Sequence, residues 1–349
     1  MKAFRRPALT AVTAAALALT LAACSGGTTN GGDNTESEGP LVIYSGRGED
    51  LVAPLIDEFT QETGIQTEVR YAGTSEQAQL LLTEGENSPA HVFLSQEAGA
   101  LGLVSESDLL AELPEDVLTQ VPDEYSSDDG TWVGITGRAR VVTYDKENVD
   151  EADVPDTVEE MVDPKWKGKV GIAPGNASFL SFVTAMRVVE GEDFTKQWLE
   201  DLAALEPKTY ERNGHILEAV NNGEVELGLI NHYYWYAMAS EQGGDNLRAQ
   251  IKFGQPGDIA ALVNVTGVGV LQNAAEREDA QEFVNFLLSE TGQTYFAEKE
   301  FEYPLVDGVD GPEGAPDQDT LRGPDVDLSD LGTVEETAAL VDEAGLTVG

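Results

Sequence analysis

From residue 41 onward, short apolar runs alternate with longer amphipathic stretches, and the two periods can be read apart: unbroken or alternating for strands, near 3.6 for helices. Residues 41–44 predict a strand, 49–63 a helix, 66–71 a strand, 74–84 a second helix and 91–94 a third strand. Residues 132–136 and 141–144 predict two extended segments joined through Gly137-Arg138-Ala139-Arg140. A strand over 169–173 then runs through Pro174-Gly175-Asn176-Ala177-Ser178 into a helix over 179–189, with further helices near 194–205 and 214–220. The turn Asn221-Asn222-Gly223 leads into a strand ending in Asn231-His232-Tyr233-Tyr234-Trp235-Tyr236, which opens a helical segment. Strands are expected at 259–262 and 267–271 with Asn264-Val265-Thr266 between them, amphipathic helices at 276–289 and 292–298, an irregular stretch over 306–330 and a last helix near 334–344. No fixed-period repeat is present.

This alternation is the signature of an α/β fold with a largely parallel sheet. Ligands of such sheets gather beyond the carboxyl ends of the strands, so the loops Gly46-Arg47-Gly48, Gly73-Thr74-Ser75 and Ser95-Gln96-Glu97 are the first to inspect. The extended pieces at Gly137-Arg138 and Asn264-Val265 predict two crossings between lobes. Arg140 is assigned to structure, because alternate strand residues are expected to face opposite sides.

The first residues change the picture of where this fold works. Lys2, Arg5 and Arg6 precede an apolar run over 8–23 that is too short for a comfortable membrane span and ends in small residues. Leu21-Ala22-Ala23-Cys24 resembles a bacterial lipobox, which implies cleavage before Cys24 and lipidation of that residue. Cys24 is the only cysteine, so neither a disulfide within the chain nor a cysteine-based metal site is available. The Ser, Gly, Thr, Asn and acidic residues that follow cannot bury a core and predict a flexible tether over 24–40.

The formal charge of −44 argues against nucleic acid and anionic lipid surfaces as partners. Catalytic chemistry finds little support. His91, His215 and His232 are the only histidines, scattered without metal-ligand spacing or a nucleophile partner, and neither familiar phosphate-cradling glycine loop is present. Adjacent Tyr233 and Tyr234 at a strand-to-helix junction can aim two phenol oxygens into one cleft as ligands for a hard cation. They can equally fill a seam as an aromatic cluster, and the residues by themselves leave both readings open.

Several pieces of the chain resemble the bacterial ferric-iron binding proteins of ABC transporters: Val42-Ile43-Tyr44-Ser45-Gly46-Arg47, Val92-Phe93-Leu94-Ser95-Gln96-Glu97-Ala98-Gly99-Ala100-Leu101, Gly137-Arg138-Ala139-Arg140, Leu217-Glu218-Ala219-Val220-Asn221-Asn222-Gly223-Glu224 and Asn231-His232-Tyr233-Tyr234-Trp235. The resemblance implies that Tyr233 and Tyr234 bind Fe3+ as phenolates. It implies that Asn176, Ala177 and Ser178, with Asn213, Asn231 and Arg138, hold a synergistic carbonate or phosphate. Three departures concern the N-terminal lobe and a neighbouring loop. Arg47-Gly48-Glu49 stands where some members carry a histidine ligand, Gln96 with Glu97 beside it stands where they carry a glutamate, and the 174–178 loop lacks the tyrosine of another branch. Arg47 is therefore a candidate for the anion, and Gln96 or Glu97 for the metal. Tyr144 and Tyr236 are expected to pack rather than to bind.

The expectation is thus a two-lobe periplasmic-binding-protein fold with two crossings (type II). A lipoprotein signal peptide would cover 1–23 and a tether 24–40; the N-terminal lobe would take 41–137 plus about 265–312, and the C-terminal lobe 138–264 plus about 313–349. The chain would be exported, held at the outer face of the cell membrane by the Cys24 lipid alone, monomeric and not an enzyme. It would deliver Fe3+ to an ABC permease and its ATPase. The alternative is the same fold serving an anionic or organic solute such as a phosphonate, a polyamine or a thiamine-like ring.

Overall fold

The computed structural model describes residues 39–317 and 320–347; the signal segment, Cys24 and the tether up to residue 38 lie outside them. In chain order the main elements are β1 (Leu41–Ser45), α1 (Glu49–Thr63), β2 (Thr67–Tyr71), α2 (Thr74–Glu84), β3 (Val92–Ser95), α3 (Ala98–Ser105), the short α4 (Glu115–Leu118) and β4 (Trp132–Asp145). They continue with the short α5 (Val158–Met161), β5 (Val170–Ile172), α6 (Ala177–Glu190), α7 (Glu192–Ala204), β6 (Lys208–Thr209), α8 (Asn213–Asn221), β7 (Leu227–Asn231), α9 (His232–Gln242) and β8 (Ala249–Phe253). The last are β9 (Val263–Val270), α10 (Glu278–Leu288), α11 (Glu290–Tyr295), β10 (Tyr303–Pro304) and α12 (Val334–Glu343).

The strands form one path, β2-β1-β3-β9-β4-β7-β5-β6, with β8 and β10 also paired to β4. Parallel pairs sit at both ends, β1 with β2 and β3 in the N-terminal lobe and β5 with β6 and β7 in the C-terminal one. The centre is antiparallel, because β4 pairs with β9 over Trp132–Ala139 and continues from there against β7 and β8. Every residue of β4 is buried. Its first half pairs with β9 and β10, and its second half with β7 and β8. The two expected crossings are direct partners, Gly137 opposite Val265 and Arg138 opposite Asn264.

Three expectations change. The sheet expected to be largely parallel has more antiparallel than parallel pairs, because β4 and β9 occupy its centre. The segments 132–136 and 141–144 are a single strand, because Gly137 to Arg140 keep their ladder partners across the junction. The strand expected over 259–262 is a 3-10 turn, Ile259–Ala261: the Asp258 carboxylate accepts the Ala260 and Val158 N–H groups at 2.8 and 3.1 Å and caps the turn. Its apolar residues read as a strand because the turn is buried.

The final segment lies across both lobes. Residues 328–332 press on α3 so closely that a Cβ at Gly99 would stand 2.2 Å from the Leu331 carbonyl oxygen, and one at Gly102 2.4 Å from that of Ser329. Helix α12 then packs on α6 and α7. The stretch from about 313, expected with the C-terminal lobe, thus touches α3 as well as α6 and α7.

Candidate functional site

Three helices of the C-terminal lobe begin at the same place, each supplying an asparagine. Asn176 caps α6, Asn213 is the first residue of α8, and Asn231 ends β7 and precedes α9. The first-turn N–H groups of each helix lack intrahelical acceptors and carry the positive end of the dipole. Ser178 Oγ ties this corner together. It donates to Asn176 Oδ1 at 2.6 Å and accepts from Asn213 Nδ2 at 2.9 Å and Arg140 Nη1 at 3.2 Å, which uses its whole hydrogen-bonding capacity. The Ser178 N–H also donates to Asn176 Oδ1, at 3.1 Å.

Arg140 stands opposite Asn231 in the β4–β7 ladder, and its guanidinium donates to Asn231 Oδ1 at 3.2 Å and to the Leu229 carbonyl at 3.1 Å. Arg138, two residues earlier, donates to the Gln96 carbonyl. With Ser178, Asn231, Leu262 and Asn264 the two arginines line a cavity of about 10 Å³, room for about one water. The expectation that Arg140 faces away from Arg138 fails on strand geometry: residues two apart share a face. Arg138 Nε and Nη1, Arg140 Nε and Asn213 Oδ1 are buried without a hydrogen-bond partner. Burial pulls the Arg140 guanidinium down to about 9, against the opposing pull of Tyr233 and Tyr234.

The tyrosines occupy the first turn of α9. Their rings stack at 4.4 Å between centroids and 28° between planes, and both are half-buried. Burial first, then the adjacent Tyr233 hydroxyl, pushes the Tyr234 phenol well above its ordinary value, while Arg138 and Arg47 pull the other way. His232 is part of the scaffold. Its Nδ1 accepts the Ala139 N–H at 3.2 Å, its ring stacks on Tyr303 at 4.7 Å, and burial lowers it to about 4.

The other wall is built from ion pairs. Arg47 is buried, with Nη1 2.8 Å from Glu302 and 3.2 Å from Thr266 Oγ1, and Nη2 3.9 Å from Glu300. Burial alone would lower its pKa, but Glu302, Tyr233 and Glu300 together hold it above the ordinary value. Phe301, between the two glutamates, is in the left-handed region at φ 57°, which turns both carboxylates toward Arg47's side of the fold. Gln96 is half-buried at the mouth, its N–H donating to Thr74 Oγ1 at 3.2 Å. Glu97 is fully buried, and its carboxylate accepts from Ser181 on α6.

The structure thus brings Asn176, Ala177, Ser178, Asn213, Asn231 and Arg138 to one corner beside Tyr233 and Tyr234, with Arg47 facing them. Sequence reasoning assigned Arg140 to structure and passed over Glu302, Thr266 and Ser181. Arg140 could have been found from its i, i+2 relation to Arg138; the others are distant in sequence and carry no local signal. Tyr144 lies apart, opposite Leu227 at the far end of the β4–β7 ladder, and Tyr236 donates to the Gly314 carbonyl at 3.3 Å. Among the described residues no three His, Cys, Asp or Glu side chains gather as a metal site, so a metal here would rely on phenol oxygens. No described helix is long and apolar enough to cross a membrane.

Residues 42–329 match the family model described as bacterial extracellular solute-binding protein. The chain is 33% identical over 311 residues to the major ferric iron-binding protein of Neisseria meningitidis serogroup B, covering 88% of this chain and 93% of that one. It is 32% identical over 308 residues to the Fe(3+)-binding periplasmic protein of Serratia marcescens, covering 88% and 90%. Among solved structures it resembles iron-bound HitA from Pseudomonas aeruginosa, with a TM-score of 0.82, 34% identity and coverage of 88% and 99%. A match over most of its length, with relatives of this similarity, means that the chain belongs to the family of bacterial extracellular solute-binding proteins of the ferric iron-binding kind.

Proposed function

We propose that this protein captures Fe3+ together with a synergistic anion and hands it to the permease of an ABC importer. The observation that carries the reading is the stacked Tyr233–Tyr234 pair set beside a corner of helix N-termini and arginines. The two phenols release their protons to solvent as they bind the ion, whose charge overcomes the burial that keeps Tyr234 protonated. Asn176, Ala177, Ser178, Asn213, Asn231 and Arg138 hold carbonate or phosphate, with Arg140 as a further donor. Arg47 closes on the anion from the N-terminal lobe, and Gln96 is that lobe's candidate for the metal.

The lobes are those divided at 137/138 and about 264/265, with closure bending the β4–β9 ribbon. The protein acts as a monomer without catalytic turnover, anchored by the Cys24 lipid outside the membrane. Adding Fe3+ with carbonate or phosphate should produce the visible charge-transfer band of iron-phenolate and raise the Tm. No band and an unchanged Tm sink the reading.

One observation favours a second reading. The unpartnered N–H groups of Arg138 and Arg140 suit an anionic organic solute such as a phosphonate without any metal. That reading expects a rise in Tm with a phosphonate in iron-free buffer.

A further inference from the structure

Helix α6 carries a slanting polar row at steps of three, Ser178, Ser181, Thr184 and Arg187, which lie as successive neighbours along one ridge of the helix. Each member has a different partner. Ser178 holds the asparagine and arginine corner described above. Ser181 donates to the Glu97 carboxylate at the start of α3, across the cleft. Thr184 Oγ1 meets Thr337 Oγ1 of α12 at 2.7 Å. Arg187 donates to the Thr333 carbonyl at 3.1 Å, Thr337 Oγ1 at 2.9 Å and Glu336 at 2.9 Å.

Helix α3 therefore meets α6 twice. One contact is direct, Glu97 to Ser181. The other runs through the chain end, since residues 328–332 are seated on Gly99 and Gly102 of α3 while Thr333, Glu336 and Thr337 are bonded to α6. Both helices begin at the site: α3 directly follows Gln96 and Glu97, and α6 directly follows Asn176. The Glu97 main chain is fixed as well, its N–H donating to Ser95 Oγ at 3.2 Å and its carbonyl accepting from that hydroxyl at 2.7 Å.

We propose that Glu97 is a positioning residue that latches the closed cleft by gripping Ser181, with residues 327–343 as the strap that keeps α3 and α6 in register, and that it does not ligate the metal. A carboxylate in this place has one oxygen on Ser181 and the other, Oε1, buried without a partner. Opening the lobes returns both groups to water, so the contact exists only in the closed form and adds to its lifetime. The alignment of α6 with the anion corner makes the link directional: whatever seats Ser178 also seats Ser181, one ridge step away.

This inference deepens the iron reading and rests on it only for its first measurement. The protein is loaded with Fe3+ and carbonate and challenged with excess EDTA, comparing wild type with Ser181→Ala, Glu97→Leu, the double variant and Glu97→Gln. The expected result is release about tenfold faster in Ser181→Ala and Glu97→Leu, no further gain in the double variant, and recovery in Glu97→Gln, whose amide oxygen still accepts from Ser181. The band position stays that of wild type in all of them. A shifted band in Glu97→Gln with normal release from Ser181→Ala would make Glu97 a metal ligand and overturn the latch. So would equal release rates throughout, and Ser181→Ala provides that arm even if Glu97→Leu does not fold. Absence of any band in wild type rejects the iron reading instead. Small-angle scattering of the iron-free proteins then still decides the latch: a larger radius of gyration in Ser181→Ala supports it, and identical radii reject it.

Discussion

The wall of the cleft formed by the C-terminal lobe is a set of groups that hold one another in place while leaving hydrogen-bonding capacity facing inward. Ser178 is saturated by Asn176, Asn213 and Arg140, while Asn213 Oδ1, Arg140 Nε and Arg138 Nε and Nη1 are without partners. The wall formed by the N-terminal lobe is held by charge pairs instead: Arg47 pairs with Glu302 and Glu300, and Glu302 accepts from Thr136, while Arg47 Nε and Nη2 lack hydrogen-bond partners there too. Burial would raise the Glu302 carboxyl, but Arg47, Arg138 and Thr136 bring it below the ordinary carboxylate value. One wall is prepared for a guest, and the other brings a fixed charge that acts once the cleft shuts.

The largest expected effect breaks the comparison at its strong side. Tyr233→Phe or Tyr234→Phe should abolish the charge-transfer band and weaken iron binding by about 100-fold or more, since each leaves a desolvated cation short of a charged ligand. Isothermal titration at several pH values gives an independent check. Phenols that enter as phenolates release about two protons per iron, so affinity should rise with pH below the ordinary tyrosine range. A pH-independent affinity would contradict phenolate binding.

On the opposite wall the loss should appear in stability. Arg47→Met strands Glu302 as a buried, uncompensated carboxylate at a cost of about 3–5 kcal/mol, read as a clear fall in Tm, while the band persists because the phenols belong to the other lobe. Loss of the band in Arg47→Met, with a normal Tm, would reverse the assignment of the two walls. Arg140→Met should do the reverse, speeding iron loss in carbonate buffer by about tenfold. Arg140→Lys should not repair it, because an ammonium cannot reproduce the fork that meets Ser178, Asn231 and Leu229 together.

A smaller effect tests the charge of the N-terminal wall. Burial raises Glu300 from 4.5 to about 7, with Arg47 opposing and Glu302 and Asp50 assisting. The folded chain therefore binds this proton more tightly than the unfolded chain does. Its contribution is fully present below pH 4.5 and is lost as the pH rises through 7. Glu300→Gln should gain Tm relative to wild type at pH 8 and show no such gain at pH 4. An equal difference at both values would mean that Glu300 is already ionised at pH 4.

How far the sequence carried this picture depended on whether the deciding interactions were local. The α1 and α2 boundaries at 49–63 and 74–84 follow from amphipathic period and flanking glycines, which are properties of the segments themselves. The two tyrosines stood out as a candidate pair because they sit at a strand-to-helix junction, where the chain's own pattern changes period; their role and that of the three asparagines came from the resemblance to ferric-iron binding proteins. The strand β8 was missed, as was the turn at 259–261, because each is defined by a partner far away: β4 in one case and the Asp258 cap over Val158 in the other. The same holds for Glu302 and Ser181. Nothing near residue 302 announces Arg47, and nothing near residue 181 announces Glu97.

The smallest expected effect is the one that makes the tyrosine assignment specific. Tyr144 is more buried than Tyr233 and Tyr234, it lies on the same strand as Arg138 and Arg140, and burial raises its phenol above the ordinary value, with Glu151 adding to the shift. It stands four residues beyond Arg140, which at strand rise is about 13 Å along β4, opposite Leu227 where the arginine is opposite Asn231. Tyr144→Phe removes one hydroxyl and keeps the ring's packing, so the band should keep its position and iron affinity should stay within about twofold, a change below ~0.5 kcal/mol. A loss comparable to that of Tyr233→Phe would mean that any buried phenol on this ribbon serves, and that adjacency at the start of α9 is not what prepares the wall.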